Sequence, residues 1–206
     1  MAKYENIRAL AKKQLQTVTE SSDRWKEFLR TAAIAYNYSF PNQLLIYAQN
    51  PTATAVADMD YWNKNAGRRV KRGAHGTAVF DTRANSPRLR YLFDISDTIP
   101  IHEISEALPW AVTDQNWKPV WDKIIVDNHA DSIQSALLMI STSYVAQRSA
   151  MFTTALGKAI DGSSLQWAKP NEQRRLFLQI VTQSCLYMAA LRCGVDTCLL
   201  YTSPSP

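Results

Sequence analysis

Between Gly67 and Gly76 the chain reads GRRVKRGAHG, which sets Arg68, Arg69, Lys71, Arg72 and His75 among three glycines. So much positive charge on a turn-rich stretch suits the neutralisation of phosphate groups, and Gly73 and Gly76 let a backbone come close to them. Lys64, Arg83, Arg88 and Arg90 extend the set, and from residue 63 to residue 92 only Asp81 opposes these eight cations. Tyr61 and Trp62 lie directly before the stretch and offer aromatic faces on which an unpaired base can stack. Cations beside aromatics compose a single-strand binding surface, whose candidate contacts are Trp62, Lys64, Arg68, Arg69, Lys71, Arg72 and His75. Two plainer readings stand beside this one. A strand edge rich in Lys and Arg also protects a sheet from aggregation, and a tryptophan flanked by apolar residues also belongs in a core.

Other chemistry has little to work with. His75, His102 and His129 are scattered, and no nucleophile elbow, phosphate-binding loop or HExxH pair occurs. Asp94, Ser96 and Asp97 in FDISDT read either as ligands or as caps at a strand end, the commoner use of Asx and Ser side chains. Cys185, Cys193 and Cys198 lack CxxC or Cys/His spacing, so neither a disulfide framework nor a zinc site is indicated and buried free thiols are expected. The expectation is a non-enzyme without cofactor or metal. No apolar run reaches membrane-spanning length and the N-terminal MAKYENIRALAKKQL has no signal-peptide core, which points to a cytoplasmic protein without a membrane partner.

The elements that must position these residues follow from composition and period. The chain has 206 residues, 46% of them apolar and 20% charged, enough for one large or two small globular domains. Its net charge of +5 is uneven: residues 1–97 carry 15 Lys/Arg against 9 Asp/Glu, and residues 98–206 carry 8 against 9. A polyanion-facing half and a neutral packing half are expected. Residues 4–18 read as an amphipathic helix, and Trp25, Phe28, Leu29, Ala32, Ala33 and Tyr36 keep the period of a second, with Ser22 or Asp23 placed to cap it. Pro41 suits the first turn of a third helix that Pro51 ends. From Thr54 the pattern turns strand-like: TAVAD, a helical turn capped by Asp58 and stopped near Gly67, then RRVKRG, TAVFDTR and RLRYLFDIS, separated by the turn chemistry of GAHG and ANSP. A small antiparallel sheet follows, with a hairpin displaying the cations. Residues 99–118 hold little periodicity and read as a linker, and 119–129, 131–148, 150–160 and 171–193 read as helices. The fold class is therefore α+β, N-terminal helices on a small antiparallel sheet followed by a helical region.

The stretch from WKEFLRTAAIAYNYSFPNQLLIYAQNP through GRRVKRGAHGTAVFD, with LRYLFDISDT, resembles the N-terminal domain of very large proteins of bacterial conjugative elements and prophages that carry methyltransferase and helicase regions further along. More loosely, it is similar to the N-terminal domain of ArdC-type antirestriction proteins. The resemblance covers residues 25–98 and falls on Asn37, Ser39, Asn42, Gln43, Gln49, Pro51, Ala53, Thr54, Trp62, Gly67, Arg68, Lys71, Gly73 and Gly76. It implies single-stranded DNA binding for the domain and adds Asn42 and Gln43 to the candidate contacts; these two and Gln49 equally suit satisfying backbone groups around the Pro41 restart. Where the large proteins carry Lys or Arg between the two glycines, this chain has Ala74 and His75. On this reading residues 1–98 form an ArdC-N-like DNA-binding domain and 99–118 a linker. Residues 119–197 form a helical segment that joins the domain to other parts of a longer parent. CLLYTSPSP, residues 198–206, resembles the translation of a transposase-based sequencing adaptor, and a non-native tail that adds no element to the fold is expected there. The alternative class is a protein-docking module in which the helical segment holds a partner and the basic strands only keep a sheet edge soluble.

Overall fold

The computed structural model describes residues 2–84, 86–101, 112–163 and 165–197. The chain is an α+β protein that divides into two compact units, Met1–Trp110 and Ala111–Pro206.

The first unit begins with α1 (Ala2–Val18), α2 (Ser22–Ile34) and α3 (Phe40–Gln49). The period of α2 holds: Phe28, Leu29, Ala32 and Ala33 are buried. Its cap is one residue earlier than expected, since the Ser21 side chain accepts from the Arg24 backbone N–H at 3.3 Å. Ser22 and Asp23 therefore belong to the first turn, where Asp23 faces the positive end of the helix dipole. Ala35 ends the helix and leaves Tyr36 half exposed, outside the stripe that its spacing suggested. Pro41 occupies the first turn of α3, where its missing N–H removes no helical bond. Helix α3 packs against α1, α2 and the sheet, and Leu44, Leu45 and Ile46 are buried there.

Two sheets follow rather than one. In the larger, β1 (Val56–Ala57), β4 (Leu89–Asp94) and β3 (Thr77–Phe80) lie antiparallel in the order β1-β4-β3. The β3–β4 hairpin expected around ANSP is present, with Val79 opposite Arg90 and Thr77 opposite Leu92. The hairpin expected around GAHG is not. Strand β2 (Arg68–Val70) pairs instead with β5 (Thr98–Pro100), which places residues 99 and 100 in the first unit and not in a linker. Residues 102–111 of the expected linker lie outside the described residues. Between β1 and β2 the six-residue α4 (Met59–Lys64) is capped by Asp58, whose Oδ1 accepts from the Tyr61 N–H at 2.9 Å.

Two clusters of buried residues hold the helices and sheets of this unit together. Ala11, Ala35, Leu45, Ile46, Val56, Val79 and Leu92 join the helices to the larger sheet. Ala55, Ala57 and Trp62, with Val70, Phe93 and Ile95 against them, join α4 to both sheets. Gly76 is fixed by the same packing: a Cβ there would lie 2.9 Å from the Tyr91 Cβ and 3.0 Å from the Phe93 ring, so its bare backbone serves the sheet and not a phosphate.

The second unit is helical: α5 (Trp117–Asp127), α6 (Ile133–Gln147), α7 (Ser149–Ala159) and α8 (Pro170–Arg192), within two residues of the expected bounds at most ends. Ile133, Leu137, Leu186, Ala190 and Val195 form its core, and Trp121 donates from Nε1 to the Cys193 carbonyl at 2.7 Å. Cys185 and Cys193 are free and half-buried, and burial pushes both thiols up, away from the reactive thiolate. Cys198 and the rest of 198–206 lie outside the described residues. No described helix is long and apolar enough to cross a membrane.

Candidate nucleic-acid interface

The basic segment is held by β-pairing on one side and by a turn on the other. Arg68 lies opposite Pro100, Arg69 opposite Ile99 and Val70 opposite Thr98. Side chains alternate along a strand, so Val70 and Arg68 share the inner face. Val70 packs towards Trp62, and Arg68 is half-buried, donating from Nε to the Thr98 hydroxyl at 2.7 Å. Arg69 takes the outer face and is exposed beside the half-exposed Ile99. The Lys71 N–H continues the ladder to the Asp97 carbonyl at 2.8 Å, and its Nζ donates to the Ser96 carbonyl at 2.7 Å. Next comes a tight turn, closed by the Ala74 N–H on the Lys71 carbonyl at 3.1 Å, with Gly73 at φ +84° in its third position. A side chain there would be strained, and the glycine allows Arg72, the residue before it, to stand exposed at the tip. His75 is exposed just beyond.

Besides Arg68 and Lys71, which bond to uncharged partners, the other six of the eight cations fall into two groups. Lys64 is exposed but bridges Asp60 at 3.6 Å, one turn back on α4. Arg83 reaches Asp81 at 3.3 Å and Asp58 at 4.0 Å, and Arg90 reaches Asp58 at 3.6 Å while its guanidinium lies over the Tyr38 ring. Arg69, Arg72 and Arg88 have no carboxylate partner among the described residues and are exposed. The charge offered to a polyanion is thus concentrated on β2 and its turn, while the Asp58 network neutralises much of the hairpin end.

Three expected contacts are placed elsewhere by the fold. Trp62 is 0% exposed, and its Nε1 donates to the Phe93 carbonyl at 2.9 Å, so it is a core residue and no base can stack on it. Asn42 is 1% exposed, donating from Nδ2 to the Phe80 carbonyl at 3.0 Å and accepting from the Phe80 N–H at 2.9 Å. Gln49 repeats the arrangement on Ala78 at 2.9 and 3.0 Å. These two amides, two turns apart on α3, stand where the next strand would be and close the outer edge of β3, a surface that would otherwise invite another chain. Gln43 donates to the Ala35 carbonyl at 3.1 Å, satisfying the end of α2. Asn42, Gln43 and Trp62 are therefore structural supports, and Lys64, Arg68, Arg69, Lys71, Arg72 and His75 remain as the surface set. The alternative in which Asn42, Gln43 and Gln49 satisfy backbone groups is the one the fold takes, although Asn42 and Gln49 serve strand β3 and not the Pro41 restart, and the pairing of Arg68 with Thr98 had no signal in the sequence. The signal for the edge cap is that residues 42, 45, 46 and 49 share one helix face, where two amides beside Leu45 and Ile46 must find backbone partners.

The FDISDT segment takes the capping alternative. Asp94 accepts from the N–H groups of Thr54 at 2.7 Å, Ala55 at 3.0 Å and Ser96 at 3.0 Å, and Asp97 answers on the Asp94 N–H at 3.3 Å. It thereby ties the loop before β1 to the end of β4 and so to β5, the strand that carries β2. Burial pushes the Asp94 carboxyl up, but the N–H donors of Ser96, Ala55 and Thr54 outweigh it and hold the group below its ordinary range. A depressed carboxyl contributes stability that is full above its unfolded value near 3.8 and is lost as pH falls through the folded value. Asp94→Asn is accordingly expected to cost about 2 kcal/mol at pH 7. Urea titrations at pH 7 and pH 3 should show the gap between variant and wild type closing in acid; a gap of constant size would contradict this.

Comparison with protein-family models, with curated proteins and with solved structures finds no match for this chain.

Proposed function

We propose that the first unit is a non-catalytic module that binds single-stranded DNA in the cytoplasm, of the kind found in antirestriction and conjugation proteins of mobile elements, with the second unit linking it to further parts of a longer protein. The observation that carries the reading is the cationic run of β2 and its turn, where Arg69 and Arg72 are exposed without a carboxylate partner among the described residues. The sequence resemblance of residues 25–98 supports single strands over duplex. Each phosphate neutralised on a single strand contributes roughly 0.7 to the fall of log affinity with log salt. Four phosphate contacts should therefore give a slope of about 3. Fluorescence anisotropy of the full chain with a labelled oligothymidine across salt concentrations reads this slope, and no binding at low salt sinks the proposal.

A second reading has its own observation. Helix α6 has no charged residue, and besides its buried Ile133, Leu137 and Val145 it exposes Leu138, Met139, Ile140 and Tyr144. A helix that exposes this many large apolar side chains is normally covered by a neighbour, which favours a docking role for the second unit. The two readings separate on the basic strand: a docking module keeps whatever DNA affinity it has when the β2 charges are reversed.

A further inference from the structure

The first unit contains a cleft of about 140 Å³ that none of the cations lines. Its walls are Tyr36, Tyr38 and Tyr61, its apolar floor is Ile34, Val56 and Ala57, and its polar groups are Asn37 and Asp58. A cavity of about 150 Å³ is room for one six-membered ring. The walls are fixed before anything enters: Tyr38 donates to the Val56 carbonyl at 3.0 Å and is covered by the Arg90 guanidinium, and Tyr61 packs edge-on against the buried Trp62. Tyr36, by contrast, is 50% exposed at the mouth, beside the exposed Asn37.

We propose that this cleft receives one unpaired nucleobase of a bound single strand, an inference that rests on the DNA-binding reading above. Aromatic walls match the π-face of a base, and the Asn37 amide with the Asp58 carboxylate matches an edge that both donates and accepts hydrogen bonds. The floor is apolar and the Asp58 carboxylate is already paired with Arg83 at 4.0 Å and Arg90 at 3.6 Å, so the cleft takes the neutral ring and the phosphates stay outside. They meet cations there, because Tyr61 and Lys64 are three residues apart and therefore neighbours on the surface of α4, and α4 packs directly on β2. A strand following β2 and Lys64 passes the mouth of the cleft.

Anisotropy with oligothymidine and with an abasic tetrahydrofuran strand of equal length tests this. Base stacking on aromatic side chains makes the wild-type preference for the base-bearing strand on the order of ten-fold. Tyr36→Ala should reduce that ratio several-fold while leaving affinity for the abasic strand unchanged, and Tyr36→Phe, which keeps the ring, should retain it. Tyr36 is half exposed, so its truncation should be tolerated; should Tyr36→Ala fail to fold, the exposed Asn37→Ala supplies the same readout. A wild type that binds both strands equally, or a ratio untouched by truncation of Tyr36 or Asn37, overturns the proposal while leaving DNA binding intact. Failure of both strands to bind at low salt overturns both readings together and is a distinct result.

Discussion

Replacing Trp62 by alanine is expected to bring the first unit close to unfolding. Truncating a buried aromatic of this size costs about 3–5 kcal/mol, and a domain of ordinary stability has only about 5–15 kcal/mol to lose. The side chain is completely buried between Ala55, Ala57, Val70 and Phe93, and its loss also leaves the Phe93 carbonyl without the indole donor at 2.9 Å. Val70 is the inward residue of β2, so the cavity opens directly beneath the cationic strand. Urea denaturation followed by circular dichroism, with amide exchange at β2 and β4, should show the loss concentrated in this unit. Trp62→Phe separates packing from recognition. It refills most of the cavity, and under conditions where the variant is folded its DNA affinity should match wild type, since the ring faces the core. A folded Trp62→Phe that binds DNA much more weakly would restore the stacking role.

Trp62 shows where reading the sequence succeeds and where it stops. Composition says that aromatics sit beside cations, but which way a side chain points depends on the register of its helix against a sheet that forms from distant residues. Helix α2 was legible because Phe28, Leu29, Ala32 and Ala33 repeat within one element, a pattern that needs no partner to be recognised. The pairing of β2 was not. Its neighbour β5 is three residues long, contains Pro100, and starts 28 residues after β2 ends, so neither length nor alternation marks it. The adjacent GAHG glycines suggested a hairpin instead, whereas Gly73 serves a turn that stays on the β2 side and Gly76 serves contact with Tyr91 and Phe93.

The site was legible in outline for a related reason. Charge is a local property, and the basic run is basic wherever it folds. Which cations remain available is a tertiary property. Asp58 and Asp60 precede the run in sequence, and Asp58 reads as a helix cap, yet the two also bridge Lys64, Arg83 and Arg90 once α4 and the hairpin come together. Arg68 is drawn inward by the Thr98 hydroxyl of a strand that the sequence did not reveal.

Reversal of Arg69 and Arg72 together is expected to cause the largest loss of function at the smallest cost in stability. Both are exposed and neither has a carboxylate partner among the described residues, so the substitutions break no described ion pair and should stay within about 0.5 kcal/mol of wild type. Arg68 and Lys71 are left alone because their bonds to Thr98 and to the Ser96 carbonyl hold β2 against its neighbours. If each arginine neutralises one phosphate, the Arg69→Glu/Arg72→Glu chain should lose about 1.4 from its salt slope, which counted from 1 M is a roughly 65-fold loss of affinity at about 50 mM salt. Repulsion by the new carboxylates adds to this. Net charge alone would also weaken binding, so the control is Lys12→Glu/Lys13→Glu on the exposed side of α1, which changes the total by the same amount away from β2. Anisotropy across salt should show a much smaller loss for that control and an unchanged melting temperature for both. Equal losses would mean that the chain attracts DNA by its overall charge and has no site on β2, and an unchanged affinity in the arginine variant would hand the protein to the docking reading.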